Sequence, residues 1–471
     1  MASAPVTGPS GAGGVDVTDV QGIVFYAYTE HPLARYLLVN LAKGDPRTYV
    51  WLRELAHSRH GPRRAKDAGD PAVRGSAQEH VQLAFTASGL GAFGLEANDL
   101  AGFPSEFVDG MNDPQRARVL GDTPAGWTFG GPNQDEIHAM LMLFARTSET
   151  LAQLVSRQKA ALEAAGGRVV HEDEGHLFAD NHEHFGFRDG IAQPHIDHGP
   201  RRKRSGEPSI PPGELLLGYS NAYDEPTTSP AVRGFNLGQN GTFVVYRKLR
   251  QDVAAFWQAM YDRARPRAGE SPDDAAVRLA ASMVGRWPSG APLALHPEHD
   301  AASAANENVF GFAGEDPHGY RCPFGAHIRR TNPRDMLAPS PKESLLETGR
   351  HRLFRRGRSY GPPLALPRSA WRLDDGVERG LLFIGLCASL RRQFEFIQQT
   401  WVQSPKFAGL YDERDPLVGQ TASGGARFTL QGQPVRRCLV DLPNFVSLQG
   451  GAYFFMPGLR ALGWLAEPRS H

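Results

Sequence analysis

Three stretches of the chain carry residues that could do chemistry together. The first is Gly186-Phe187-Arg188-Asp189-Gly190, two glycines bracketing one carboxylate. Glycine adopts φ > 0 and leaves room where a backbone must approach something bulky, so such a turn can aim a carboxylate at a ligand. The second is Cys322-Pro323-Phe324-Gly325-Ala326-His327-Ile328-Arg329-Arg330-Thr331-Asn332-Pro333-Arg334. Here one histidine follows small residues and precedes a dense cluster of arginines. Small residues let a flat ligand approach the backbone, and a neutral imidazole is a good iron ligand. Guanidinium groups nearby can neutralise carboxylates on that ligand by bidentate contacts. The third is Leu353-Phe354-Arg355-Arg356-Gly357-Arg358-Ser359-Tyr360-Gly361, another arginine-rich turn. Each has a bland reading: an ordinary Asp-Gly turn, a lone histidine in the core, and solvated arginines. HExxH and paired CxxC zinc patterns, a GxSxG elbow and a Walker A loop are all absent. As residues alone, the set is compatible with a haem or anion site.

The elements that must position these residues fall in two similar runs. At 471 residues the chain exceeds one hydrophobic core, so two domains are expected. Lys+Arg and Asp+Glu number 51 each, which gives no global electrostatic reason for a nucleic acid or anionic membrane as partner. The three cysteines form no CxxC pair and do not resemble a disulfide framework. No stretch reaches the roughly 18 apolar residues of a membrane helix, and the first residues lack a basic region followed by an apolar one. The expectation is a cytoplasmic protein with a disordered lead over residues 1–18. In the first half, Ile23–Tyr28 reads as a strand and Pro32–Leu41 as a helix with Pro32 near its first turn. Val81–Thr86 reads as a half-buried strand, and Asp135–Ala165 as one long amphipathic helix closed by Gly166-Gly167. A basic, loop-like run near residue 205 marks the boundary. In the second half, Gly241–Arg247 reads as a strand, Gln251–Trp257 as the start of a helix, Gly380–Leu386 as a buried strand, and Ser389–Val402 as a helix. Strands alternate with helices without a dinucleotide fingerprint, which predicts two α+β domains, each an antiparallel sheet with packed helices, over residues 19–205 and 206–471.

The three stretches together resemble the dye-decolorizing peroxidases, which are haem proteins. His184-Phe185-Gly186-Phe187-Arg188-Asp189-Gly190-Ile191 is similar to their GxxDG signature, Cys322–Arg334 to their proximal-histidine segment, and Phe354–Gly361 to their distal-arginine segment. Leu381-Leu382-Phe383 and Gln393–Gln398 are similar to the strand and helix near the haem. Weaker echoes, such as Val284-Gly285-Arg286-Trp287-Pro288-Ser289-Gly290, extend the match over nearly the whole chain in the right order. The resemblance implies a pair of ferredoxin-like domains, with haem b held mainly by the second. It implies His327 as the axial iron ligand, and Asp189 and Arg355 on the distal side where hydrogen peroxide binds. Glu395 is the expected partner of the free ring nitrogen of His327, and Arg329 the expected contact of a haem propionate. Leu381 and Phe383 would share one face of a strand and line the distal pocket, and Gly190 would let the backbone lie against the haem. The implied activity is reduction of hydrogen peroxide with oxidation of dyes or small phenolic-type reductants, with an acidic optimum because a carboxylate is a poor base at neutral pH. Two alternatives stand beside it: a non-catalytic haem-binding or haem-handling protein using the same pocket, and a ferredoxin-like haem enzyme acting on chlorite or on haem.

Overall fold

The computed structural model describes residues 14–364, 367–421 and 425–468. Its first half runs β1 (Leu33–Asn40), α1 (Pro46–His57), β2 (Glu79–Phe85), β3 (Ala139–Ala145), α2 (Ser148–Ala164) and β4 (Arg168–His176). Leu37 and Val39 of β1 pack outward against α1 and α2, while Tyr36 and Leu38 point to the opposite face. A strand buried on both faces needs no polar alternation. For that reason β1 lies where the apolar run suggested a helix over Pro32–Leu41. The same physics governs β3, in which all seven residues are buried. It occupies the first part of the helix expected over Asp135–Ala165. The helix itself begins after Thr147, whose hydroxyl accepts the Thr150 N–H as an N-cap. The strand expected over Ile23–Tyr28 is instead a 3₁₀ turn at Gly22–Val24, with all three residues buried.

The second half repeats the order with β5 (Thr242–Gln251), α3 (Val253–Arg263), α4 (Pro272–Val284), the short strands β6 (Phe354–Arg355) and β7 (Arg358–Tyr360), β8 (Gly380–Cys387) and β9 (Val446–Met456). Between α4 and β6 lies the five-residue helix α5 (His327–Thr331). The helix expected over Ser389–Val402 is present as π-helical turns at Leu390–Glu395 and Ile397–Val402. In the first half the strands lie in the order β2-β3-β1-β4; in the second, β6 and β7 share one side of β8, followed by β5 and β9. Both halves are thus βαββαβ units with the same spatial order, and every pairing in these sheets is antiparallel. Ser359 opposite His176 and Phe455 opposite Phe85 join the two sheets into a closed ring. Its interior is filled by Tyr36, Leu38, Met142, Val244, Tyr246, Leu382, Ile384 and Phe454.

Of the lead expected over residues 1–18, residues 1–13 lie outside the described ones. Within residues 14–18, Val15 is buried and the Asp16 N–H donates to the Tyr219 hydroxyl at 3.1 Å, while Gly14 and Thr18 are exposed.

Candidate functional site

On the outer face of the second sheet, Leu249 of β5, Leu381 and Phe383 of β8, and Val446 and Leu448 of β9 form one wall of a cavity of about 270 Å³. The intervening residues Leu382 and Ile384 point into the barrel, as strand alternation requires. His327, Asp189 and Arg355 all line this cavity, and all three also line an adjoining one of about 160 Å³. A further space of about 260 Å³ reaches Asp189, Gly190 and Arg355 past Asn181 and His182. Three stretches far apart in sequence therefore meet at one place.

His327 opens α5. Its Nδ1 lies 2.8 Å from Oδ2 of Asp415, a side chain with no exposed surface. The other oxygen of Asp415 accepts the N–H groups of Leu417 at 2.9 Å and Val418 at 3.0 Å. A carboxylate can only accept, so Nδ1 carries the proton and the Nε2 lone pair is left on the cavity side. Burial disfavours the imidazolium, but the Asp415 carboxylate outweighs it and raises the His327 pKa from its ordinary value. Arg330 fixes the frame: its guanidinium donates to the carbonyls of Trp401 at 2.6 Å and Ser404 at 3.1 Å, and to that of Glu413. It thereby ties α5 to the loop that carries Asp415.

Glu395, the expected partner of His327, does not reach it. Its carboxylate accepts from Arg116 at 3.0 Å and from the Tyr453 hydroxyl at 3.1 Å. π-Helical turns advance each residue by a smaller angle than α-helical ones, so side-chain facings along this segment cannot be read from a 3.6 period. Asp415 has no local signature; only the fold brings a loop residue 88 positions away beside His327.

Asp189 and Arg355 form an ion pair, Oδ1 to Nη1 at 2.9 Å. Their side chains keep 48% and 36% of their surface open, and both line the cavity. The Gly190 N–H also donates to Asp189 Oδ1, at 2.6 Å, and Oδ2 has no partner among the described residues. Burial pushes the Asp189 pKa up, but Arg355 and the Gly190 N–H bring it below the ordinary carboxylate value. The turn is held from several sides. The Asp189 N–H donates to the Asn181 carbonyl and the Arg188 N–H to that of Pro288. Glu183, missed from sequence, accepts the N–H groups of Phe185 and Phe187 and, at 2.6 Å, the side-chain amide of Gln251, clamping the turn to β5. Burial pushes its pKa up to about 7. Gly186 has φ +88, and an added Cβ there would lie 2.5 Å from the Trp371 ring. Gly190 has φ +83 with open space around it, so its backbone conformation is what requires glycine. Arg355 is set by β6 pairing with β8 and by reciprocal bonds between its main chain and the Gln193 amide, at 3.1 and 3.3 Å.

Arg329, expected at a propionate, faces away from the cavity. It is fully buried, bonded to Asp316 and the Cys322 carbonyl, and sandwiched between Phe312 and Phe324. Two residues beyond His327 is about 200° around a helix, which turns it to the opposite side. Besides Arg355 and Arg247, which pair with Asp189 and Asp122, the arginines that line the cavity are Arg286, Arg334 and Arg352. Their hydrogen-bond partners are carbonyl and amide oxygens, with no carboxylate among the described residues. Burial lowers Arg334 to about 9 and Arg286 and Arg352 to about 10, still cationic at neutral pH. Three cations beside a histidine ring are residue types that would suit a flat metal complex carrying two carboxylates, such as haem with its propionates.

No model of a known protein family matches the chain. Among curated proteins, it is 30% identical to a dye-decolorizing peroxidase of Mycena epipterygia over 82% of this chain and 76% of that one. It is 33% identical to the multifunctional dye peroxidase DyP2 of an Amycolatopsis species over 72% and 73%. Among solved structures, a fungal DyP-type peroxidase from Auricularia auricula-judae superposes with a TM-score of 0.83 at 28% identity, covering 97% of this chain and all of that one. With the paired ferredoxin-like architecture and sequence identity running through most of both chains, the protein belongs to the dye-decolorizing peroxidase family and is a haem peroxidase of that type.

Proposed function

We propose that the chain reduces hydrogen peroxide at a haem b held by His327 and oxidises dyes or phenolic-type reductants with the oxidising equivalents. The observation that carries this reading is the His327–Asp415 bond, which leaves Nε2 free on the cavity into which the Asp189–Arg355 pair also opens. His327 Nε2 would hold the iron, and Arg286, Arg334 and Arg352 would meet the propionates. When bound, haem supplies an iron that can take two electrons from the reductant side and pass them to peroxide.

The residues then divide the remaining work. Asp415 keeps the Nδ1 proton and so keeps His327 electron-rich. Asp189, ionised at neutral pH, has a free Oδ2 that can take a proton from peroxide and return it to the departing oxygen. Arg355, fixed through Gln193, places a guanidinium where negative charge develops as the O–O bond breaks. Leu381 and Phe383 make the facing wall apolar, which keeps bulk water from competing with peroxide.

The test is the reaction of Asp189→Asn and Arg355→Leu with peroxide, followed by stopped-flow absorbance of the haem. Each variant should react at least about tenfold more slowly, a general acid–base group being worth about 10²–10⁴. Wild-type rates in both would remove the pair from the reaction.

A further inference from the structure

The segment that carries Asp189 is a tight loop with an acceptor of its own inside it. Asn181, Gly186 and Gly190 have φ of +57, +88 and +83, and His182 pairs with Arg188 as an isolated antiparallel bridge. Between them the chain reverses. The Glu183 N–H donates to the Phe187 carbonyl at 3.0 Å, and the Gly186 N–H to the Glu183 carbonyl at 2.8 Å. That leaves the N–H groups of Phe185 and Phe187, whose acceptor is the Glu183 carboxylate. Oε2 takes Phe185 at 2.9 Å and Oε1 takes Phe187 at 3.0 Å. Both phenylalanines are buried, and a buried N–H left unpaired is costly.

The same carboxylate reaches out of the loop. Oε2 also accepts the Gln251 side-chain amide at 2.6 Å. Gln251 ends β5, two residues after Leu249, so strand alternation puts it on the face that forms the cavity wall. Glu183, Gln251, Leu249, Leu381, Asp189 and His327 line one cavity of about 160 Å³. Asp189 is held at one oxygen only, by Gly190 and Arg355, so the place of its Oδ2 depends on the backbone of the loop. Protonation does not undo the clamp. Burial pushes Glu183 up to about 7, so both its forms occur near neutral pH. Gln251 Oε1 is buried without a partner. With the amide turned over, that oxygen can accept a Glu183 O–H, and the hydroxyl oxygen keeps a lone pair for Phe185.

We propose that Glu183 is a positioning residue for peroxide activation: its carboxylate fixes the loop to the sheet and so sets where Asp189 Oδ2 stands relative to His327 and Arg355. The inference rests on the peroxidase reading above. Glu183 acts through Asp189 and not on peroxide itself. A misplacement of about 1 Å can cost about 10²-fold in rate, so a held loop secures much of what Asp189 supplies. An amide at position 183 cannot do the same. Whichever oxygen becomes NH₂, the N–H of Phe185 or of Phe187 then faces a donor.

The test uses the full-length holoenzyme with Glu183→Gln, Gln251→Ala, Asp189→Asn and the double variant Glu183→Gln/Asp189→Asn. Two stopped-flow rates are read. One is the reaction of the haem with hydrogen peroxide. The other is the binding of hydrogen cyanide, which must give its proton to a base but involves no redox step. Glu183→Gln should slow both by about tenfold or more, and Gln251→Ala, which spares both backbone bonds, by about threefold or more. Haem affinity should stay within about twofold of wild type in each. The double variant should match Asp189→Asn within about twofold, because a residue that acts only through Asp189 has nothing left to lose. Wild-type rates in Glu183→Gln and Gln251→Ala would overturn the proposal. So would a Glu183→Gln change that slows Asp189→Asn as much as it slows the wild type, the mark of a general loosening of the site. Failure of the wild-type haem to react with peroxide would instead overturn the peroxidase reading, while the cyanide rates would still decide whether Glu183 sets Asp189.

Discussion

Asp415→Asn replaces one oxygen by an amide nitrogen and leaves the side-chain shape almost unchanged. In the wild type, Oδ1 is occupied by the N–H groups of Leu417 and Val418, and only Oδ2 faces His327. Those two backbone donors hold the asparagine oxygen where Oδ1 was, so the NH₂ group must face His327 Nδ1. Donor then meets donor. The imidazole relieves the clash by moving its proton to Nε2, which occupies the lone pair needed for iron. The loss can be sized in two ways. A hydrogen bond to a charged group contributes about 1.5–3 kcal/mol. Partners of metal-ligating histidines change metal affinity by about 10- to 100-fold, which is about 1.4–2.7 kcal/mol. The two agree. Titrating apoprotein with haem and following the Soret band should therefore show Asp415→Asn binding about 10- to 100-fold more weakly, with the iron reduction potential raised. Glu395→Gln, remote from His327 and bonded to Arg116 and Tyr453, should leave haem affinity unchanged. Haem affinity and potential in Asp415→Asn within about twofold of wild type would refute the reasoning.

The Asp189 pKa lies below the ordinary carboxylate value, so its sign is that of a group favoured ionised in the fold. Its contribution is present above the unfolded pKa of about 3.9 and disappears as pH falls through the lower folded value. The peroxide rate should hold as pH drops past about 4 and fall only below it; in Arg355→Leu, which removes the cation beside Asp189, the acid edge should move upward in a pH–rate profile. An edge that stays put or moves down would contradict the pairing. Arg334→Gln should weaken binding of haem by about tenfold in the same titration but leave binding of haem dimethyl ester unchanged, because only free propionates can use the guanidinium. Equal losses for both ligands would mean that Arg334 acts on the fold and not on a carboxylate.

The residues of the site were legible where local sequence carries the geometry. Asp189 sits in a turn that its own glycines define, and Arg355 in a short strand two residues before Gly357, where an added Cβ would lie 2.6 Å from the Leu382 carbonyl. Alternation alone put Leu381 and Phe383 on one face. What was not legible depends on closure of the barrel. β1 and β3 are buried on both faces, so their apolar runs match a helix as well as a strand. The Thr147 cap was a readable signal for where α2 begins. Asp415 escaped because it acts across 88 positions, and nothing in a residue's neighbours tells which carboxylate will fold back onto a given histidine; Glu183 escaped although two of its partners, the Phe185 and Phe187 N–H groups, are local. Arg329 and Arg334 are alike in sequence; only the rotation of α5 and the loop after it separates one bonded to Asp316 from one at the cavity.

The account's central claim is that His327 Nε2 holds the iron. His327→Gly should lose haem or hold it only weakly, and adding free imidazole, which can refill the vacated space beside Asp415, should restore the wild-type Soret band and peroxide reactivity together. A glycine variant that keeps the wild-type haem spectrum without imidazole would contradict the claim.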